Sequence, residues 1–170
     1  MRFAYADPPY LGQCNLYDHV HPDGRCWDDP ETHRTLIARL SDWFPDGWLL
    51  SLSSPSLGRL LTMCPNTVRV GAWVKPFASF KPHVNPAYAW EPVIWQGGRK
   101  RDRSVLTVRD WVSANITLKR GLTGAKPEEF CFWVFDVLGM QSGDEFVDIF
   151  PGTGAVGLAW LAYQRQRRFA

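Results

Sequence analysis

Residues 144–157 read DEFVDIFPGTGAVG, and their reading decides the fold. Residues 144–150 read as a strand. A turn with Gly152 and Gly154 follows, and a helix is predicted over 154–165. Gly152, Gly154 and Gly157 match the G-x-G-x-x-G spacing. Glycines there permit a tight turn and let a ligand approach the backbone and the helix N-terminus. By itself the match is also compatible with a packing turn. A dinucleotide site needs a further strand with an acidic residue about 20 residues on. The sequence ends at Ala170, so that strand is not expected and a nicotinamide oxidoreductase is disfavoured.

The same alternation extends through the chain. Strands are predicted at 2–6, 48–53, 67–74 and 89–96, with a weaker strand-like patch at 104–108. Helices are predicted at 31–44, at 54–63 with Ser54 as cap, and from Pro127 to Gly139. Pro92 makes the 89–96 strand interrupted or edge-like. Strands alternating with helices indicate an α/β sandwich with a largely parallel sheet. Residues 1–170 read as one domain, with 97–126 a polar, basic, Gly-punctuated segment.

The sites of open α/β sheets lie at the carboxyl ends of strands. The first predicted strand ends in Asp7-Pro8-Pro9-Tyr10. Each proline fixes its own φ and holds the preceding residue extended. The Asp7 carboxylate and the Pro8 carbonyl are thereby presented as two rigid acceptors, and Pro9 has no N–H to compete. Tyr10 adds a ring that can stack. Two acceptors and a stacking face suit an exocyclic amine on a nucleobase; a plain strand-ending turn is the structural alternative.

Composition narrows the setting. The formal net charge is only +2, so nucleic-acid contacts fall to local clusters: Arg99-Lys100-Arg101 with Arg103, Lys119-Arg120, and Arg165, Arg167 and Arg168. Solvated basic loops are the competing explanation. The four cysteines show no disulfide framework, no signal peptide precedes the first strand, and no apolar run reaches spanning length. A cytoplasmic protein with reduced thiols and no membrane association is expected. Cys14, His19, His21 and Cys26 could bind zinc, but their spacing is not a familiar pairwise pattern. A lid over the target base is preferred for that loop and no metal is expected.

Asp7-Pro8-Pro9-Tyr10, then Lys126-Pro127 opening a helix, then Phe150-Pro151-Gly152-Thr153-Gly154, resembles the S-adenosylmethionine-dependent DNA amino-methyltransferases, in the beta-class motif order. Trp90-Glu91-Pro92-Val93-Ile94-Trp95 is similar to that class's hydrophobic-Glu strand. The resemblance spans nearly the whole chain. It implies a Rossmann-like methyltransferase sandwich, with Asp7, Pro8, Pro9 and Tyr10 catalytic and with Lys126, Pro127, Asp148, Phe150, Gly152, Thr153 and Gly154 binding S-adenosylmethionine.

By the same resemblance, 97–126 stands where the family inserts a target-recognition region, with Arg99, Lys100, Arg101 and Arg103 against phosphates. The implied reaction is methylation of a DNA base, most directly adenine N6. Cytosine N4, an RNA base or a protein amide are alternatives. The family's sheet has two more strands on the cofactor side than 170 residues accommodate, so a reduced sheet is expected. A remodelled pocket, a homodimer completing the site, and a non-catalytic nucleic-acid-binding relative are the three readings of that reduction.

Overall fold

The computed structural model describes residues 1–14, 24–77, 83–116 and 125–167. Six strands form one sheet: β1 (Arg2–Ala6), β2 (Gly47–Ser51), β3 (Arg69–Val74), β4 (Trp90–Gly97), β5 (Trp111–Ser113) and β6 (Glu145–Asp148), in the order β5-β3-β4-β2-β1-β6. The β1–β2, β1–β6 and β3–β5 pairs are parallel, and only β4 runs against its neighbours. The expected α/β sandwich with a mostly parallel sheet is therefore what the chain forms.

The helices are α1 (Pro30–Trp43), α2 (Leu57–Leu61), α3 (Glu128–Leu138) and α4 (Ala155–Arg167). In α1, Asp29 caps the first turn by accepting from the Glu31 N–H at 3.0 Å, and Pro30 occupies the first helical position. His33, Leu36, Ile37 and Leu40 recur at helical spacing and are buried. In α3, Glu128 and Glu129 lie at the positive end of the dipole. Gly139, at φ 67°, closes the helix in the left-handed region, where a Cβ would be strained. Pro127 is the capping residue of α3, one position before its helical start.

Alternating side chains of β1 feed two cores. Phe3 and Tyr5 pack with α3 and α4, whereas Ala4 and Ala6 pack with α1, Trp48, Leu50 and Leu60. The helix after β1 thus covers one face and the helix after β6 covers the other. Since β1 and β6 are neighbours, their carboxyl ends flank the crevice where the winding reverses, the usual binding position in open α/β sheets.

Three local expectations need correction. The strand carrying Pro92 is central, not interrupted or at an edge. The neighbouring Ala72 N–H turns to the Asp110 carbonyl (3.0 Å), so Pro92 faces Leu52 just past β2, whose N–H still donates to the Pro92 carbonyl (3.3 Å), and the proline forgoes one bond of that pair. The patch 104–108 is not a strand; β5 lies at 111–113, where it pairs with β3. The predicted 54–63 helix is a 3₁₀ turn, Ser54–Ser56, leading into α2. Its cap position is Ser53, whose carbonyl accepts from the Ser56 N–H and hydroxyl.

Candidate active site

β1 delivers Asp7-Pro8-Pro9-Tyr10 to the crevice, and three other elements converge on it. Lys126, immediately before α3, is buried and its Nζ lies 3.1 Å from Asp7 Oδ1. The same ammonium donates to the Tyr10 hydroxyl (3.2 Å) and reaches Glu91 Oε2 at 3.5 Å. The Tyr10 hydroxyl lies 3.1 Å from both Asp7 Oδ1 and Glu91 Oε2. Lys75, just past the end of β3, pairs with the other oxygen of Glu91 and stacks over Trp73. Two carboxylates and two ammoniums balance, which is how buried charges persist.

Burial pushes the Asp7 carboxyl above the ordinary carboxylate range, and Lys126 opposes that shift. Burial also acts to raise Glu91, but Lys126 and Lys75 outweigh it and hold the group low. For Lys126 burial acts downward, and the charges of Asp7 and Glu91 prevail to raise it. Lys126 thus favours the charged form of both carboxylates, against their burial. Asp7 Oδ1 is committed to Lys126 and Tyr10, and only Oδ2 is left for a ligand.

The glycine turn stands next to this cluster, because Asp148 pairs in register with Tyr5, two residues before Asp7. Gly152 (φ 46°) and Gly154 (φ 74°) both take left-handed conformations that only glycine adopts without strain. The Gly154 N–H closes the turn on the Pro151 carbonyl at 2.6 Å, and α4 begins at Ala155. Thr153 Oγ1 accepts weakly from the Ala155 N–H at 3.4 Å. The Phe150 ring turns away from the turn, edge-on to Trp27. Both carboxylate oxygens of Asp148 are buried without a hydrogen-bond partner among the described residues. Burial lifts that carboxyl to about 6, with only weak help from the Phe150 N–H.

Other expected site residues fall elsewhere. Lys126, expected among cofactor ligands, points into the Asp7 cluster. Arg99 donates to both oxygens of Asp144 (2.7 and 2.8 Å) and to the Gly139 carbonyl. These partners end α3 and precede β6, so Arg99 stands at the end of the sheet opposite Asp7. Arg101 lies beside Gly139 at the same end. Lys100 and Arg103 are exposed. His19, His21, Lys119, Arg120 and Arg168 lie outside the described residues. Cys14, Cys26, Cys64 and Cys131 form no disulfide, and no helix among the described residues is long and apolar enough to cross a membrane.

Lys75 and Trp73 were not singled out from the sequence, and Glu91 was noted only as part of a hydrophobic-Glu strand, with no role at the site. The available signal was a carboxylate inside the otherwise apolar strand Trp90–Trp95. An open groove of about 490 Å³ runs between α1 and the end of β6, lined in part by Trp27, Leu36, Leu40, Trp43 and Phe150. It adjoins the crevice but includes neither Asp7 nor the glycines.

No family model and no curated protein matches the chain. Among solved structures it is similar to the M1.HpyAVI–SAM complex, with a TM-score of 0.67 and 16% identity, covering 96% of this chain and 78% of that one. It is also similar to a crystal structure of M1.HpyAVI, with a TM-score of 0.54 and 14% identity, covering 96% and 76%. The likeness establishes the class of fold, the Rossmann-like α/β sandwich with its crevice between β1 and β6.

Proposed function

We propose that this chain transfers a methyl group from S-adenosylmethionine to the exocyclic amine of a DNA base, most directly adenine N6. The observation that carries this reading is the juxtaposition of the Asp7–Tyr10 clamp with the glycine turn at the ends of paired strands. The similarity in fold to a complex solved with SAM supports it. The residues present also fit the cofactor. Asp148 has two buried acceptor oxygens in need of a cation, and Gly152 and Gly154 expose backbone beside it.

Asp148, Phe150, Gly152, Thr153 and Gly154 would hold S-adenosylmethionine, with Pro127 shaping the helix entry nearby. When bound, the cofactor supplies a methyl group on a sulfonium, which departs as a neutral thioether. The chain's own part is positioning and electrostatics. Asp7 Oδ2 and the Pro8 carbonyl accept the two N–H bonds of the amine and localise its lone pair. With the cofactor bound, these acceptors would aim the nitrogen at the methyl group, and Asp7 would take up the N–H proton that the methylated amine gives up. Tyr10 stacks on the base, which duplex DNA must flip out. Cytosine N4 offers the same pair of donors and would be served by the same clamp. Among the described residues of the 97–126 segment, Lys100, Arg103 and Arg109 are exposed cations available to phosphates.

The test is methyl transfer from labelled S-adenosylmethionine to unmethylated DNA, with nucleoside mass spectrometry of the product. N6-methyladenine is expected, and Asp7→Ala should reduce the rate at least about a hundredfold while the protein stays folded. An Asp7→Ala protein that methylates at the wild-type rate overturns the assignment.

A further inference from the structure

We propose that Glu91 is a positioning residue which, charge-balanced by Lys75 and Lys126, holds the Tyr10 hydroxyl and the Lys126 ammonium beside Asp7 so that the clamp meets a base in a single geometry. This rests on the methyl-transfer reading of the same site. Glu91 comes from β4, Lys75 follows β3, Lys126 precedes α3 and Tyr10 follows β1, so four separate elements are tied at one point. The Tyr10 hydroxyl is surrounded by Asp7 Oδ1, Glu91 Oε2 and Lys126 Nζ, at 3.1, 3.1 and 3.2 Å. Its single proton is shared between two carboxylates, so it has none to donate to substrate. Its ring offers only a face.

Pro8 and Pro9 set the backbone, and the bonded hydroxyl fixes where the Tyr10 ring points. A carboxylate in the middle of an apolar strand costs desolvation, and two lysines offset it. A tether on the hydroxyl removes ring rotation before a base arrives, which is the preorganisation that positioning requires.

Asp7 is faced by Lys126, Glu91 and Tyr10, and more distantly by Tyr5, Asp148 and Cys131. Lys126 lowers the Asp7 carboxyl and Glu91 raises it. Removing each partner must therefore move Asp7 in opposite directions. Tyrosine labelled with ¹³C at Cζ reports this without any turnover, the Tyr10 signal being assigned by its loss in Tyr10→Phe. Glu91→Gln should lower the acid midpoint of the Tyr10 signal, and Lys126→Met should raise it, with Lys126→Arg restoring it.

In turnover, Glu91→Gln should cut kcat by about ten- to a hundredfold, with KM for S-adenosylmethionine within about twofold. If Lys126→Met does not fold, the isosteric Glu91→Gln decides alone. A Tyr10 signal insensitive to Glu91→Gln, or moving in the same direction in both variants, overturns the proposal. A wild-type chain that titrates as described yet methylates no nucleic acid overturns the methyl-transfer reading and leaves the tether standing.

Discussion

Asp148 is a residue whose chemistry opposes the stability of the ligand-free chain. Its carboxyl sits near 6 in the fold, above its ordinary 3.8. Between those values the folded chain binds a proton that the unfolded chain has released, so this group's contribution to stability falls as pH rises from about 4 to about 6. Asp148→Asn should abolish that part of the pH dependence. The stability difference between variant and wild type should grow in the variant's favour through this window and level off above it, as thermal melts at a series of pH values would show. The same substitution should weaken S-adenosylmethionine binding in a calorimetric titration, because an amide gives up the charge that a cationic ligand would meet.

At the scale of elements, the segment joining β4 to β5 is anchored by Arg99. Its backbone N–H bonds to the Leu138 carbonyl at 2.9 Å, and its guanidinium clamps Asp144, whose side chain is only 5% exposed. Removing the guanidinium strips a buried carboxylate of its main partner. Arg99→Ala should cost about 1–3 kcal/mol in urea denaturation. DNA affinity of the folded variant, measured by fluorescence anisotropy, should match the wild type. A selective loss of DNA binding without destabilisation would instead place Arg99 on phosphate. Being basic and loop-borne made Arg99 look like a phosphate ligand in the sequence. Its partner Asp144, 45 positions away, was not visible there.

Across the whole molecule, β1 belongs to both cores, so neither face can unpack without exposing the same strand. Leu40 lies in one core and Phe135 in the other, at 1% and 0% exposure. Leu40→Ala and Phe135→Ala should each destabilise by about 2–5 kcal/mol. Both should shift one cooperative urea transition with its slope retained, as followed by fluorescence and circular dichroism together. Separate transitions for the two variants would mean that the faces unfold independently.

Much of this architecture is written in local sequence. The alternation of short apolar runs with helical patterns, and punctuation such as Pro127 and Gly139, depend on nearest neighbours and on backbone sterics. They locate α1, α3, β1 and β6 to within a residue or two, and they place Asp7-Pro8-Pro9-Tyr10 and the glycine turn at strand ends. Strand order is non-local. Pro92 suggested an edge, yet β4 is central, because it pairs on both sides and the proline forgoes only one bond, opposite Leu52. The site divides in the same way. Its rigid acceptors follow from two prolines, whereas the Lys75–Glu91–Tyr10–Lys126 cluster joins residues up to 116 positions apart. Coulomb attraction acts through space and leaves no spacing along the chain, so only the tertiary structure could assemble those charges around Asp7.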